Sequence, residues 1–172
     1  MLSILTMLTA FGSSVTTAFA ADGTLHFNSG ETIAYGDYYT TRMTFDGENT
    51  AYCLEPLKKT PAAGEYEYNL LPQDSPIRKA LYYLNGGYGY ETITRDQCFH
   101  GWSDTDAYVI GHLTVAYIYD NYNDAGGTFY GAPQNFIDKT KEVVGVINSL
   151  PEPPKSFRAF ILPAADHQTV AG

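Results

Sequence analysis

Ala51-Tyr52-Cys53-Leu54-Glu55-Pro56 places a cysteine inside a short apolar and aromatic run that a proline brings to a stop. The residues from Tyr38 to Phe45 ahead of it are rich in β-branched and aromatic side chains, and Asp46-Gly47 between the two runs is a tight-turn signal. The stretch therefore reads as the returning strand of a β-hairpin, and the end of such a strand holds a side chain rigidly. The chain has only two cysteines, Cys53 and Cys98. Cys53 is thus half of a disulfide, a buried core thiol, or a residue with chemistry of its own, and what faces it decides which.

Outward from the hairpin, Leu25-His26-Phe27 and Thr32 to Tyr35 alternate apolar and polar residues as strands do, and Tyr66 to Leu70 is a further short strand. Ser75-Pro76 opens a helix, with Ser as N-cap and Pro in the first turn. Its stripe is Ile77, Ala80, Leu81 and Leu84, and Gly86-Gly87 stops it. Gly86 to Tyr90 reads as a Gly/Tyr loop and not as a phosphate cradle, which needs a strand before it and a helix after it. Ser103 and Asp106 form a capping box with Asp in the usual place of Glu. The helix that follows runs to Tyr119 and is apolar nearly all round, which marks it as the buried central helix.

His112 lies in the middle of that helix, on the face of Tyr108, Val109, Ala116 and Tyr119. Taken alone, a histidine there reads as a satisfied core residue. A third helix, from Pro133 to Leu150, packs through Phe136, Thr140, Val143, Ile147 and Leu150. Pro151 to Pro154 is a stiff link, Ser156 to Leu162 reads as a strand, and His167 to Ala171 as a last one. Strands at both ends with helices between them give an α+β fold. The expectation is a β-sheet or partial β-barrel with an inserted helical subdomain that carries the buried helix.

Composition narrows the partners. A net charge of −9 argues against nucleic acid and anionic membranes, which both require a basic face. Fifteen Tyr beside a single Trp suit an exposed protein, because a tyrosine ring packs while its hydroxyl stays wet. Met1 to Ala10 is mostly apolar and Ala18-Phe19-Ala20 is a small-x-small cleavage site, so residues 1–20 read as a signal peptide. No Lys or Arg precedes the apolar run, which leaves room for a longer signal upstream. Residues 21–172 form the mature domain. Export is an oxidising route, which keeps a Cys53–Cys98 disulfide open. No membrane span, metal or cofactor is expected.

The order of elements resembles the thioester domains of Gram-positive cell-surface adhesins and pilus tips. Three stretches carry the resemblance: Tyr52 to Pro56, Pro76 to Tyr83 leading into Gly86-Gly87, and the helix from Tyr108 to Tyr119. It implies an internal Cys–Gln thioester that surface amines open to leave a covalent bond, with Cys53 as the thiol. The family pattern sought on the buried helix is Thr-Gln, and Gly111-His112 stands there instead. Gln73, Gln97, Gln134 and Gln168 lie in loops, at a helix start or near the end, outside that context.

Three readings of Cys53 follow. The first is an adhesin module that has lost the thioester and binds a host or extracellular ligand non-covalently. The second is a Cys53–His112 thiolate–imidazolium pair, acting as a covalent binder or a Cys-His hydrolase or acyltransferase. The third is a plain core or disulfide residue. The resemblance favours the first, a binding module more than an enzyme. It also implies a secreted, wall-anchored protein with stalk domains after residue 172.

Overall fold

Six strands close into a barrel because the two ends of the chain pair with each other. The computed structural model describes residues 21–163 and 166–172; the signal peptide read at residues 1–20 lies outside them. Strands β1 (Gly23–Tyr35), β2 (Tyr38–Phe45), β3 (Asn49–Cys53) and β4 (Gly64–Leu70) come first, and β5 (Phe160–Leu162) and β6 (Val170–Ala171) last. The order around the barrel is β1-β2-β3-β6-β5-β4, and every pair is antiparallel. The expected sheet or partial barrel is therefore a closed one. Period-two alternation turns Leu25, Phe27, Met43, Phe45, Ala51, Cys53, Leu162 and Val170 into one interior cluster. The Asp46-Gly47 turn forms as read, with φ of 48° and 86° at the two residues.

Helices α1 (Pro76–Tyr83), α2 (Arg95–Cys98), α3 (Asp104–Tyr119) and α4 (Gln134–Ser149) are inserted between β4 and β5. Ser75 caps α1 by accepting from the Arg78 N–H, and the Ser103–Asp106 capping box opens α3. Every residue of α3 from Ala107 to Ile118 is buried, so it is the central helix that its all-round apolar sequence predicts.

Three local readings change. A π-type turn, Tyr90–Thr94, follows the Gly/Tyr loop and runs directly into α2. The Thr94 hydroxyl donates to the Tyr83 carbonyl, and the Tyr90 and Phe99 rings pack 5.5 Å apart, so tertiary contacts fold what reads locally as loop. The strand expected over Ser156 to Leu162 shrinks to Phe160–Leu162. Its upstream carbonyls have another partner: the buried Arg78 guanidinium donates to Pro154 at 2.6 Å and to Phe157 at 2.9 Å. The last strand likewise shortens to Val170–Ala171, although the Leu54 N–H still donates to the Thr169 carbonyl at 2.8 Å.

One tyrosine fastens the helical layer to the barrel. The Tyr108 hydroxyl accepts from the Met43 N–H at 3.0 Å and shares its proton between the Thr41 and Ala51 carbonyls, each at 2.9 Å. Its ring stacks on Tyr52 of β3 with centroids 5.0 Å apart, and Tyr52 is itself fixed by donating to the Asn85 carbonyl at 2.6 Å. The contact leaves no room for a side chain at Gly111, where a Cβ would sit 2.8 Å from the Tyr52 hydroxyl and 2.9 Å from its ring carbons. Replacing a mid-helix glycine by alanine ordinarily stabilises by roughly 0.5–1 kcal/mol. Here overpacking reverses the sign: Gly111→Ala is expected to lower stability by about 1–3 kcal/mol, seen as a lower urea midpoint at unchanged m-value. A raised midpoint would mean that α3 and β3 are not in such close approach.

Candidate reactive centre at Cys53

The last residue of β3 and the third turn of α3 meet inside the molecule. Cys53 and His112 are each about 1% exposed, and Cys53 Sγ lies 3.1 Å from His112 Nδ1 and 3.9 Å from Nε2. The two positions singled out in the sequence are thus brought together across 59 residues. Tyr108 anchors the helix one turn before His112, and the Tyr35 ring stands edge-on to the imidazole at 6.1 Å.

Cys98 is not the partner of Cys53. Both thiols are free and buried, Cys53 in the barrel cluster and Cys98 in the helical one. The disulfide reading is thereby set aside: Cys98 belongs to α2, which packs on the helical layer and not on β3.

Nor is the resting pair an ion pair. Burial pushes the Cys53 thiol well above its ordinary range, only partly offset by a backbone hydrogen bond at Glu55. Burial lowers His112 to about 4, against a small upward effect from its contact with Cys53. Both shifts favour neutral species, since desolvation penalises whichever form is charged. The contact joins a neutral thiol and a neutral imidazole, and the tautomer with Nδ1 unprotonated lets the thiol donate to it.

A third buried polar residue, Gln168, lies on the segment that runs into β6. Val170 of β6 lies directly opposite Cys53, and Gln168 is two residues before it. The Leu54-to-Thr169 hydrogen bond carries the pairing past the ends of both strands. Strand alternation counted back from Val170 assigns Gln168 to the same side as Val170, although its own N–H leaves the ladder and donates to the Lys59 carbonyl at 2.8 Å. It is buried, its Nε2 reaches the Pro56 carbonyl only at 3.5 Å, and its Oε1 has no hydrogen-bond partner among the described residues. The Glu55 carboxylate secures this end of the ladder by accepting from the Thr169 N–H at 3.0 Å and hydroxyl at 2.8 Å. Gln73 and Gln134 are exposed and hydrogen-bonded elsewhere. In the sequence, the available signal was the alternation of Gln168 with Val170 in a terminal strand; that this strand pairs with β3 was not legible.

A cleft of about 240 Å³ opens beside the centre, lined by Leu54 to Lys58 and by Tyr119, Asp120, Gly127 and Thr128. It begins at the residue after Cys53 and meets α3 two turns beyond His112. Among the described residues no helix is long and apolar enough to cross a membrane.

Comparison with known proteins agrees with this architecture. The thioester domain family model matches residues 24–154, a span that contains Cys53 and His112 and ends before Gln168. The chain belongs to the thioester domain family. No curated protein matches significantly. Among solved structures the fold is similar to the Bacillus anthracis TIE protein, at 15% identity and a TM-score of 0.52 over 81% of this chain and 26% of that one. It is similar also to the thioester domain of the Enterococcus faecium TIE86 protein, at 14% identity and a TM-score of 0.54 over 84% of this chain and 57% of that one. The N-terminal thioester domain of a Clostridium perfringens surface protein, in a cysteine-to-alanine form, gives 16% identity and a TM-score of 0.50 over 76% and 87%. At these identities the likeness is one of fold. The chain spans about a quarter and somewhat over half of the first two.

The buried imidazole makes a linkage prediction. Unfolded, His112 titrates near 6.5; folded, near 4. Between those values the unfolded chain binds more protons, so the stability that depends on neutral His112 is complete above pH 6.5 and is lost as pH falls toward 4. The full loss is about 3 kcal/mol. Urea unfolding at pH 7.5 and pH 4.5 should show a steeper fall for the native chain than for His112→Gln, which carries no titrating group there. Equal falls would contradict a buried neutral imidazole.

Proposed function

We propose that this chain is the ligand-contacting domain of an exported Gram-positive surface protein, and that it attaches to its target through an acyl bond held between Cys53 and Gln168. The observation that carries the reading is the buried Gln168 amide, whose carbonyl oxygen has no partner among the described residues and which lies two residues before Val170, the strand partner of Cys53. A buried carbonyl without a donor is costly, by about 1–3 kcal/mol, and rare enough to need a reason. Sγ attack on the Gln168 carbonyl carbon, with loss of ammonia, gives a thioester that stays dry in the core. An amine on an extracellular partner then displaces Sγ and leaves an amide.

The expectation of a missing bond rested on His112 standing where a glutamine was sought on α3. A glutamine from the segment before β6 answers that objection in this reading and leaves His112 a different place, against the sulfur. The Cys-His hydrolase reading has less support, because such enzymes orient the imidazole with a second carboxylate or amide. Among the described residues His112 has no hydrogen bond except to Cys53. The domain is read as one module of a longer wall-anchored protein with stalk domains beyond it, and its target as a host or other extracellular surface.

Intact mass of the purified chain under denaturing, non-reducing conditions tests the bond. The expected species is lighter than the sequence mass by one ammonia, and methylamine shifts it up by one methylamine. Cys53→Ala and Gln168→Ala should each restore the full mass and abolish methylamine uptake. A native chain of full mass with two alkylatable thiols in denaturant would overturn the reading.

A further inference from the structure

We propose that His112 is the proton carrier of this centre, taking the Cys53 proton as the acyl bond forms and handing a proton back to sulfur when an amine opens it. The inference rests on the Cys53–Gln168 reading and deepens it.

Geometry comes first. His112 Nδ1 lies 3.1 Å from Sγ, within reach for direct transfer across a sulfur hydrogen bond. The imidazole sits on a helix pinned one turn away by Tyr108 and is buried beside Tyr35, so neither nitrogen is free to turn to water. The thiol also needs such a partner. Burial holds the Cys53 proton on, so a thiolate is scarce at neutral pH unless a base receives the proton during attack. Burial keeps the imidazole unprotonated and available as that base.

The step balances. The Sγ–H proton moves to Nδ1 while Sγ bonds to the Gln168 carbonyl carbon and the carbonyl electrons move onto Oε1. The C–N bond then breaks, the imidazolium returns its proton to the departing nitrogen, and ammonia leaves. In the opening direction an amine nitrogen bonds to the same carbon and gives its proton to His112. The C–S bond breaks, and the proton passes to sulfur, leaving an amide and the Cys53 thiol.

A second orphaned group fits the same reaction. The Tyr35 hydroxyl is buried without a partner among the described residues, as is Gln168 Oε1, and the Tyr35 ring stands 6.1 Å from the His112 imidazole. Burial raises the Tyr35 hydroxyl above its ordinary range, with Cys53 adding to the effect, so Tyr35 stays protonated and able to donate. A donor and an acceptor left unpaired in the resting state are suited to pair when charge builds on Oε1, as in an oxyanion hole.

The test is kinetic, on the full chain refolded from denaturant and reductant, with ammonia loss followed by intact mass and methylamine uptake measured separately. His112→Ala and His112→Gln are expected to slow both reactions by about 100-fold or more, the usual range for a lost general base. Tyr35→Phe keeps the ring packing and should slow both by about 10-fold or more through loss of the hydroxyl. Cys98→Ala is the control, and circular dichroism verifies the fold of each variant. Wild-type rates in a folded His112→Gln variant would overturn the proposal while leaving the Cys53–Gln168 bond intact. No ammonia loss in the native chain would defeat the bond itself, and the proton carrier with it.

Discussion

The close approach of α3 to β3 is the constraint on which the rest of this molecule depends. Tyr108 brings it about by placing one hydroxyl among three backbone groups of β2 and β3, and Tyr52 completes it by stacking on the Tyr108 ring. Gly111 permits it, because the space a side chain would take there is already filled by Tyr52. The barrel and the helical layer have largely separate apolar clusters. Their seam is therefore made by a few specific contacts, and the Cys53–His112 pair sits within it.

Burial at this seam determines the chemistry. In water a cysteine beside a histidine drifts toward thiolate and imidazolium, and the pair is reactive at rest. Here both groups lose their hydration, and the charged forms lose most, so the resting pair is neutral. A centre of this kind is quiet until a reaction moves a proton within it. The same dryness that suppresses ionisation would protect an acyl group from hydrolysis, so one physical cause supports both storage and control.

The elements around the site come from distant parts of the chain. β3 supplies the thiol and α3 the imidazole, the segment leading into β6 carries Gln168, and the barrel closes by pairing the early strand with the late one. Glu55 ties the two strands together beyond their regular ladder by holding Thr169, while Lys58 pairs with its other oxygen at 2.6 Å. The fold therefore builds the site by closing, which is why its members share no local motif.

Local physics in the sequence determined a good deal: the Asp46-Gly47 hairpin, the Ser75-Pro76 and Ser103–Asp106 helix starts, and α3 as the buried helix. Each rests on short-range signals, namely turn residues, caps and periodicity, and the resemblance added Cys53 and His112 as facing positions. Long-range pairing decided the rest. Barrel closure, the free state of Cys53 and Cys98, and the place of Gln168 depend on β3 meeting β6, more than 110 residues apart, and no local pattern encodes that. The protonation state of the pair was equally out of reach, because it follows from how much water the assembled seam excludes and not from which residues stand beside one another.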